Sequence, residues 1–297
     1  MYFVDFLKNM TKKSNIGVFV WLILNTIIVT LIFGACINSG GIGYVVGAFV
    51  YVIILIVSLS PVGEWILRMQ NGCKEIQRQE YLDRLTPLFN EVYAKAKKLN
   101  PEMPDNIKFY MSQDGEANAF ATGRRTICIT KGLLRYPDEQ IKAILAHEFG
   151  HLAHKDTDAI LIVSVGNLIV TTAFIVWRFV FNVFANFFSI VLGLMSESIG
   201  AMLASLITKV FIDILLVAMM TLWTKLGVLI CLQAARKNEK LADEYSYDLG
   251  YGECLCGFLD GLGPSHGKGL WATLNSTHPD NDSRIAYLQS LGCKYRG

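Results

Sequence analysis

His147, Glu148 and His151 stand in the order H-E-x-x-H within AILAHEFGHLAHKD, residues 143–156, a stretch that holds three of the chain's five histidines. On a helix, side chains four apart share a face, so the rings of His147 and His151 can close on one divalent cation. Glu148 points beside them, toward a water on that ion. Zinc lowers the pKa of such a water to about 7, and a neighbouring carboxylate can take its proton as the oxygen attacks a carbonyl. Taken alone, the pentapeptide is also compatible with a solvated helix face. A third ligand decides between the two. His154 lies seven positions after His147, on nearly the same face. At 1.5 Å per residue, however, it is roughly 10 Å further along the axis, beyond reach of the same ion on an unbroken helix. NEKLADEYSYDLG offers Glu239 and Asp243, four apart, one to ligate and the other to accept a ring N–H from a ligating histidine. By itself that segment is equally an exposed charged helix.

These residues need elements to hold them. Pro137 followed by Asp138 and Glu139 signals a helix start, and neither Gly nor Pro interrupts until Gly150, so the histidines sit on a helix. Upstream, EIQRQEYLDRLTPLFNEVYAKAKKLN carries Leu82, Leu85, Leu88, Phe89 and Val92 at helical spacing among charges. It reads as an amphipathic helix bent near Pro87. IKFYM, NAFAT and TICIT read as short strands, the last two joined through GRR as a hairpin.

Four apolar runs, at 16–37, 42–60, 159–181 and about 210–232, approach the roughly 20 residues that a helix needs to cross a bilayer. The fourth carries Asp213 and Lys225. Residues 182–208 are apolar but broken by Gly193, Glu197 and Gly200, and read as an interfacial connection. Lys8, Lys12 and Lys13 precede the first run, Arg68, Lys74, Arg78 and Arg84 follow the second, and residues 38–41 carry no cation. Both flanks are therefore expected in the cytoplasm and the hairpin tip outside. Trp21, Trp65, Trp177 and Trp223 stand toward the ends of their runs, where interfacial anchors would be. Two spans between His151 and Glu239 would return the chain to the same side, which a shared metal site requires. The chain thus divides into a transmembrane hairpin (1–60), a first catalytic part (61–157), a second transmembrane hairpin (158–232) and a second catalytic part (233–297).

Composition agrees with a bilayer setting: 53% of the 297 residues are hydrophobic and 18% charged, with mean hydropathy +0.39. A net charge of +2, without a long Lys/Arg run, excludes a nucleic-acid footprint. Seven cysteines without a CxxC pair suggest neither a disulfide framework nor a thiolate zinc site, and fit a reducing compartment. The first apolar run is too long for a cleaved signal peptide and is expected to stay in the mature chain.

HEFGHLAHKD, EKLAD, NAFATG and the late HPDNDSRI together resemble the HtpX-type membrane zinc metallopeptidases, relatives of the CAAX prenyl endopeptidases, in order and over nearly the whole chain. The resemblance implies one zinc ion held by His147, His151 and Glu239, with Glu148 as general base and Asp243 behind a ligating histidine. It places the H-P-x-x-x-x-R-I pattern on His278, Pro279, Arg284 and Ile285, with His278 and Arg284 steadying the oxyanion and the site wall. NAFATG resembles the edge strand that zincins use to grip an extended substrate, with Asn118, Ala119 and Phe120 along the cleft. One departure concerns the arginine that relatives often carry close before the ligand glutamate, where Lys237 and Asn238 stand here after Arg236.

The expected fold is mainly α with a small β-sheet, a multi-pass membrane protein with four transmembrane helices and a cytoplasmic, gluzincin-like catalytic domain. Both termini and the site face the cytoplasm at a bacterial cytoplasmic (inner) membrane. The expected substrates are membrane proteins or unfolded polypeptides met at the lipid bilayer, in membrane protein quality control. Processing of prenylated C-terminal peptides is the neighbouring alternative, carried out by relatives with more spans. A metal transporter would place its ligands within the spans, whereas the ligand helix here begins in the charged YPDEQIK.

Overall fold

The computed structural model describes residue 6 and residues 16–37, 41–155, 157–196, 199–262 and 280–296. The fold is mainly helical with one small mixed sheet. In chain order the elements are α1 (Ile16–Cys36), α2 (Ile42–Ser58), α3 (Pro61–Gln70), β1 (Lys74–Glu75), α4 (Gln79–Leu99), β2 (Lys108–Ser112), β3 (Ala119–Thr122) and β4 (Thr126–Thr130). A 3-10 turn at Lys131–Arg135 leads into α5 (Asp138–His154) and α6 (Thr157–Leu161). A π-helical turn at Ile162–Gly166 then precedes α7 (Asn167–Ser196), α8 (Ile199–Asp248), α9 (Gly252–Gly261) and α10 (Asn281–Ser290).

The sheet has the order β1-β2-β4-β3. β1 pairs antiparallel with β2, β2 parallel with β4, and β3 antiparallel with β4. The chain therefore passes from β2 to the far edge before returning through the centre as β4. All five residues of β4 are buried, as a central strand of β-branched and apolar residues should be. The β3–β4 turn is tight because Gly123 adopts φ +60, a conformation that costs glycine nothing. β1, only two residues long, has no periodicity to betray it in the sequence.

α5 is the core helix. Pro137 caps its start, its carbonyl accepting from the N–H groups of Gln140 and Ile141 at 3.0 Å, and Asp138 and Glu139 complement the N-terminal end of the dipole. The helix runs through Gly150 without a break and stops at Lys155, which takes a left-handed φ of 58°. Leu145 and Phe149 are fully buried, and Phe149 packs on Phe89 of α4 with ring centroids 5.3 Å apart. Side chains of this size contribute about 1.5–3 kcal/mol each when buried. Pro87 lies inside α4, which continues past it to Leu99.

Among the described residues one helical segment is long and apolar enough to cross a membrane, Leu206–Gly227 within α8. A second is reached if α2 and α3, bent by 70° at their junction, count as one broken span. The run at 159–181 is not one straight helix: α6, the π turn and α7 divide it, and α7 continues to Ser196. The stretch read as an interfacial connection is helical on both sides of residues 197–198, where Glu197 lies outside the described residues. Asp213 meets Arg178 at 3.1 Å and Asn182 at 3.0 Å across the α7–α8 interface, so this ionisable residue of an apolar run has partners on the facing helix. Trp21 and Trp223 differ from the anchors expected of them. Their rings stack at 4.7 Å, Trp21 is fully buried, and the Trp223 indole N–H donates to Asn25 at 2.8 Å. The pair joins α1 to α8 by ring stacking and by the Trp223–Asn25 hydrogen bond.

α5 lies against α8 at Gly150. A Cβ there would stand 2.9 Å from Ala242 Cα and 3.0 Å from Tyr245 Cβ, so the main chain of α8 occupies the space a side chain would need. Gly150→Ala should therefore push the two helices apart, costing about 1–3 kcal/mol. Thermal unfolding and metal titration of that variant should show a lowered Tm together with weakened metal affinity. An unchanged affinity would mean that the helix contact does not set the site.

Candidate active site

α5 supplies His147, Glu148 and His151, and α8, reaching the same place with its last turns, supplies Glu239 and Asp243. The Nε2 atoms of His147 and His151 are 3.1 Å apart, and Glu239 Oε2 and Oε1 stand 3.4 Å and 3.5 Å from them respectively. Bonds of about 2.0–2.1 Å at a tetrahedral ion put neighbouring ligand atoms roughly 3.3 Å apart. The donor set therefore fits zinc in both chemistry and spacing, and among the described residues it forms a group able to hold a metal ion. His147 and Glu239 are buried, while His151 is partly accessible. His154 ends α5 one turn further on, its ring 6.0 Å from that of Tyr245, and belongs to no such group among the described residues.

Asp243 sits behind His147 and is fully buried. Its Oδ1 lies 2.9 Å from His147 Nδ1, so the ring N–H is held there and Nε2 is left for the ion. Arg284, on α10, donates to both carboxylate oxygens of Asp243, at 2.9 Å and 2.6 Å. Its Nη2 also stands 3.3 Å from His147 Nδ1 and 3.8 Å from Glu239 Oε2. Burial and the Arg284 charge push the His147 imidazole down, but Asp243 and Glu239 outweigh them and hold its pKa above the ordinary histidine value. Burial pushes the Asp243 carboxyl up, but Arg284 and His147 prevail and keep it below the usual range. The Arg284 charge thus keeps Asp243 ionised although it is fully buried. Arg284 braces the ligands from behind, with both carboxylate oxygens of Asp243 as its partners. His278 and Pro279 lie outside the described residues.

The resemblance implies that Asn118, Ala119 and Phe120 line a cleft; Ala119 and Phe120 lie on β3, the edge strand of the sheet, and Asn118 directly precedes it. Thr130 N–H donates to the Asn118 carbonyl at 2.9 Å, which directs the main chain of residues 118, 120 and 122 toward β4 and that of 119 and 121 away from it. The Asn118 side-chain oxygen accepts from Ala119 N–H at 2.9 Å. Ala121 N–H donates to Glu148 Oε2 at 2.7 Å. This contact between the edge strand and Glu148 has no signature in the sequence, because a main-chain donor is supplied by any residue type.

The β3–β4 turn carries a second group that sequence reasoning missed. Arg124 is buried and forks onto Asp158 of α6, with Nε at 3.0 Å from Oδ1 and Nη2 at 2.6 Å from Oδ2. Its main-chain N–H donates to Glu64 of α3 at 2.9 Å, and the Thr157 hydroxyl donates to the Gly123 carbonyl. Breaking a buried pair of this kind from one side costs about 3–5 kcal/mol. In the sequence GRR looked only like a turn; nothing distinguished Arg124 from its exposed neighbour Arg125.

Two histidines a helical turn apart, a glutamate from a second helix and a carboxylate behind one histidine form a donor set of the kind that metallopeptidases use. The signature of Peptidase family M48 matches residues 82–291, and the chain belongs to that family. It is similar to Protease HtpX of Pseudomonas syringae pv. tomato, at 28% identity over 78% of this chain and 80% of that protein. It is also similar to a Protease HtpX homolog of Acaryochloris marina, at 34% identity over 34% of this chain and 35% of the relative, so that match spans about a third of either protein. The crystal structure of S. mikatae Ste24p aligns with a TM-score of 0.43 and 18% identity, covering 97% of this chain and 65% of that one.

The geometry ranks the possible ligands. Glu239→Ala should strip most of the bound zinc, because two imidazoles alone hold the ion poorly. His154→Ala should leave occupancy close to that of the unaltered protein. Asp243→Asn should weaken metal affinity by about 10–100-fold. Metal content after dialysis against graded chelator measures all three, and loss of zinc from His154→Ala with retention in Glu239→Ala would reverse the assignment.

Proposed function

We propose that the protein is a zinc-dependent endopeptidase that cleaves membrane proteins or unfolded polypeptides at the cytoplasmic face of a bacterial inner membrane. The observation that carries the chemistry is the convergence of His147, His151 and Glu239 beside a glutamate, Glu148, held by a sheet-edge N–H. Zinc held by His147, His151 and Glu239 would polarise a scissile carbonyl and lower the pKa of water at the site. Glu148 is the proton acceptor: its carboxylate takes the proton of the attacking water and can return it to the leaving amine. Ala121 N–H fixes the orientation of that carboxylate. Asp243 holds His147 by its Nδ1–H, and Arg284 holds Asp243. The main chain of Ala119, which points away from β4, binds the substrate main chain along the free edge of β3, with Asn118 and Phe120 on either side of it, a mode that accepts many sequences.

The topology we infer has α1, α2, α7 and α8 as four spans, with 61–157 and 233–297 forming the catalytic domain on one side. Support comes from α8, which carries the apolar segment Leu206–Gly227 and the ligand Glu239 on one helix. The twelve positions from Gly227 to Glu239 amount to about 18 Å along the axis, so the site stands close to the bilayer surface yet outside the apolar segment. A transporter would need its ligands inside that segment. Cleavage of damaged or misassembled membrane proteins is the biological role this placement suits.

Glu148→Gln should retain zinc and lose proteolysis of an unfolded membrane substrate by several orders of magnitude, because it removes the proton acceptor and spares the ligands. Zinc content and cleavage are measured on one sample; full activity in the variant would refute the mechanism, and zinc flux into proteoliposomes would point to transport. For topology, a single cysteine at position 240, on a background lacking the native cysteines, should resist a membrane-impermeant reagent in intact cells. Labelling from outside would show that the spans after His151 are miscounted.

A further inference from the structure

We propose that Arg124 is a positioning residue for proteolysis: by locking the β3–β4 turn to α3 and α6 it sets where the edge strand presents a polypeptide to Glu148. The inference rests on the reading of β3 as the substrate strand. Arg124 and Arg125 are adjacent and identical, yet Arg125 is exposed and Arg124 is turned inward. A hairpin turn with glycine at a left-handed φ needs no buried guanidinium to close, so the buried charge answers to something other than the turn itself. Among the described residues the turn is tied to Glu64 by the Arg124 N–H and to Thr157 by the Gly123 carbonyl, both main-chain contacts, and to Asp158 by the guanidinium, the tie that the side chain itself supplies. A Cβ on Gly123 would collide with the Glu64 side chain at 2.3 Å, so the turn is seated directly on α3.

The attachments fall on elements next to the apolar helices. α3 follows α2 at a 70° bend, and Asp158 lies in α6, just beyond the end of the ligand helix. Three residues back along the strand from Arg124, Ala121 N–H holds Glu148 Oε2 at 2.7 Å. Only Thr122 and Gly123 separate the two positions, at most about 10 Å of chain at roughly 3.3 Å per residue, so movement of the turn reaches the strand. Loosening the turn therefore moves the edge that grips substrate relative to α5. The zinc ligands, on α5 and α8, are held by separate contacts and should stay where they are.

Steady-state cleavage of an unfolded polypeptide by the full chain in proteoliposomes, with zinc counted per chain, tests this. Arg124→Ala and Asp158→Asn should raise KM about tenfold or more and lower kcat as well, since the same displacement weakens the grip on substrate and loosens Ala121 N–H from Glu148. Zinc content should match the unaltered protein, and Arg124→Lys, which keeps the charge and loses the fork, should recover part of the loss. If Arg124→Ala does not accumulate, Asp158→Asn and Arg124→Lys decide. An unchanged KM, or zinc lost in step with activity in those two variants, would overturn the proposal while leaving zinc-dependent proteolysis by the unaltered protein intact. Absence of that proteolysis would instead remove the reading on which the proposal stands.

Discussion

Gly150 lets α5 lie directly on the main chain of α8, with no side chain between them. His147, Glu148 and His151 come from the first helix and Glu239 and Asp243 from the second, and neither helix holds a site alone. The separation of the His147 and Glu239 donor atoms, 3.4 Å, is small enough for one ion to bridge. A side chain at the crossing would push the two helices apart and widen that separation. The residue between Phe149 and His151 is therefore as much a part of the site as the histidines.

Around that contact the polar groups are arranged from the inside outward. Arg284 neutralises Asp243, Asp243 takes the Nδ1–H of His147, and Nε2 is left facing the other ligands. The buried Asp243 and Arg284 pair directly, at 2.6 Å and 2.9 Å, and Glu239 stands 3.8 Å from the same guanidinium, which is what makes such a buried cluster tolerable. On the open side the partner is main chain rather than side chain. Ala121 N–H meets Glu148, so the sheet edge and the proton acceptor are registered to each other.

Much of this was legible in the sequence where side-chain chemistry and helical periodicity coincide. The H-E-x-x-H helix and the strands IKFYM, NAFAT and TICIT follow from spacing that a regular element imposes, within a residue of the observed 108–112, 119–122 and 126–130, whereas spacing offered Glu239 and Asp243 only as candidates and the resemblance gave them their roles. Arg284 could be named as a site residue but not placed, because α10 carries too little pattern to say which face its guanidinium takes. Main-chain donors such as Ala121 N–H, and the inward turn of Arg124 beside the outward Arg125, leave no trace in residue type. The apolar segments were the least faithful guide. Hydropathy marks where a helix is greasy, but not that α6 and the π turn divide 157–166 or that α8 runs unbroken for 50 residues from apolar segment to zinc ligand. Nor does it reveal that Trp21 and Trp223 stack on each other.

The central claim is that two imidazoles from one helix and one carboxylate from another hold the metal. X-ray absorption at the zinc edge of the purified full chain reads this directly. The account predicts a first shell of nitrogen and oxygen at about 2.0–2.2 Å, with the outer scattering of two imidazoles and no sulfur. Three imidazoles, or a zinc–sulfur distance of about 2.3 Å, would bring His154 or a cysteine into the shell and contradict it.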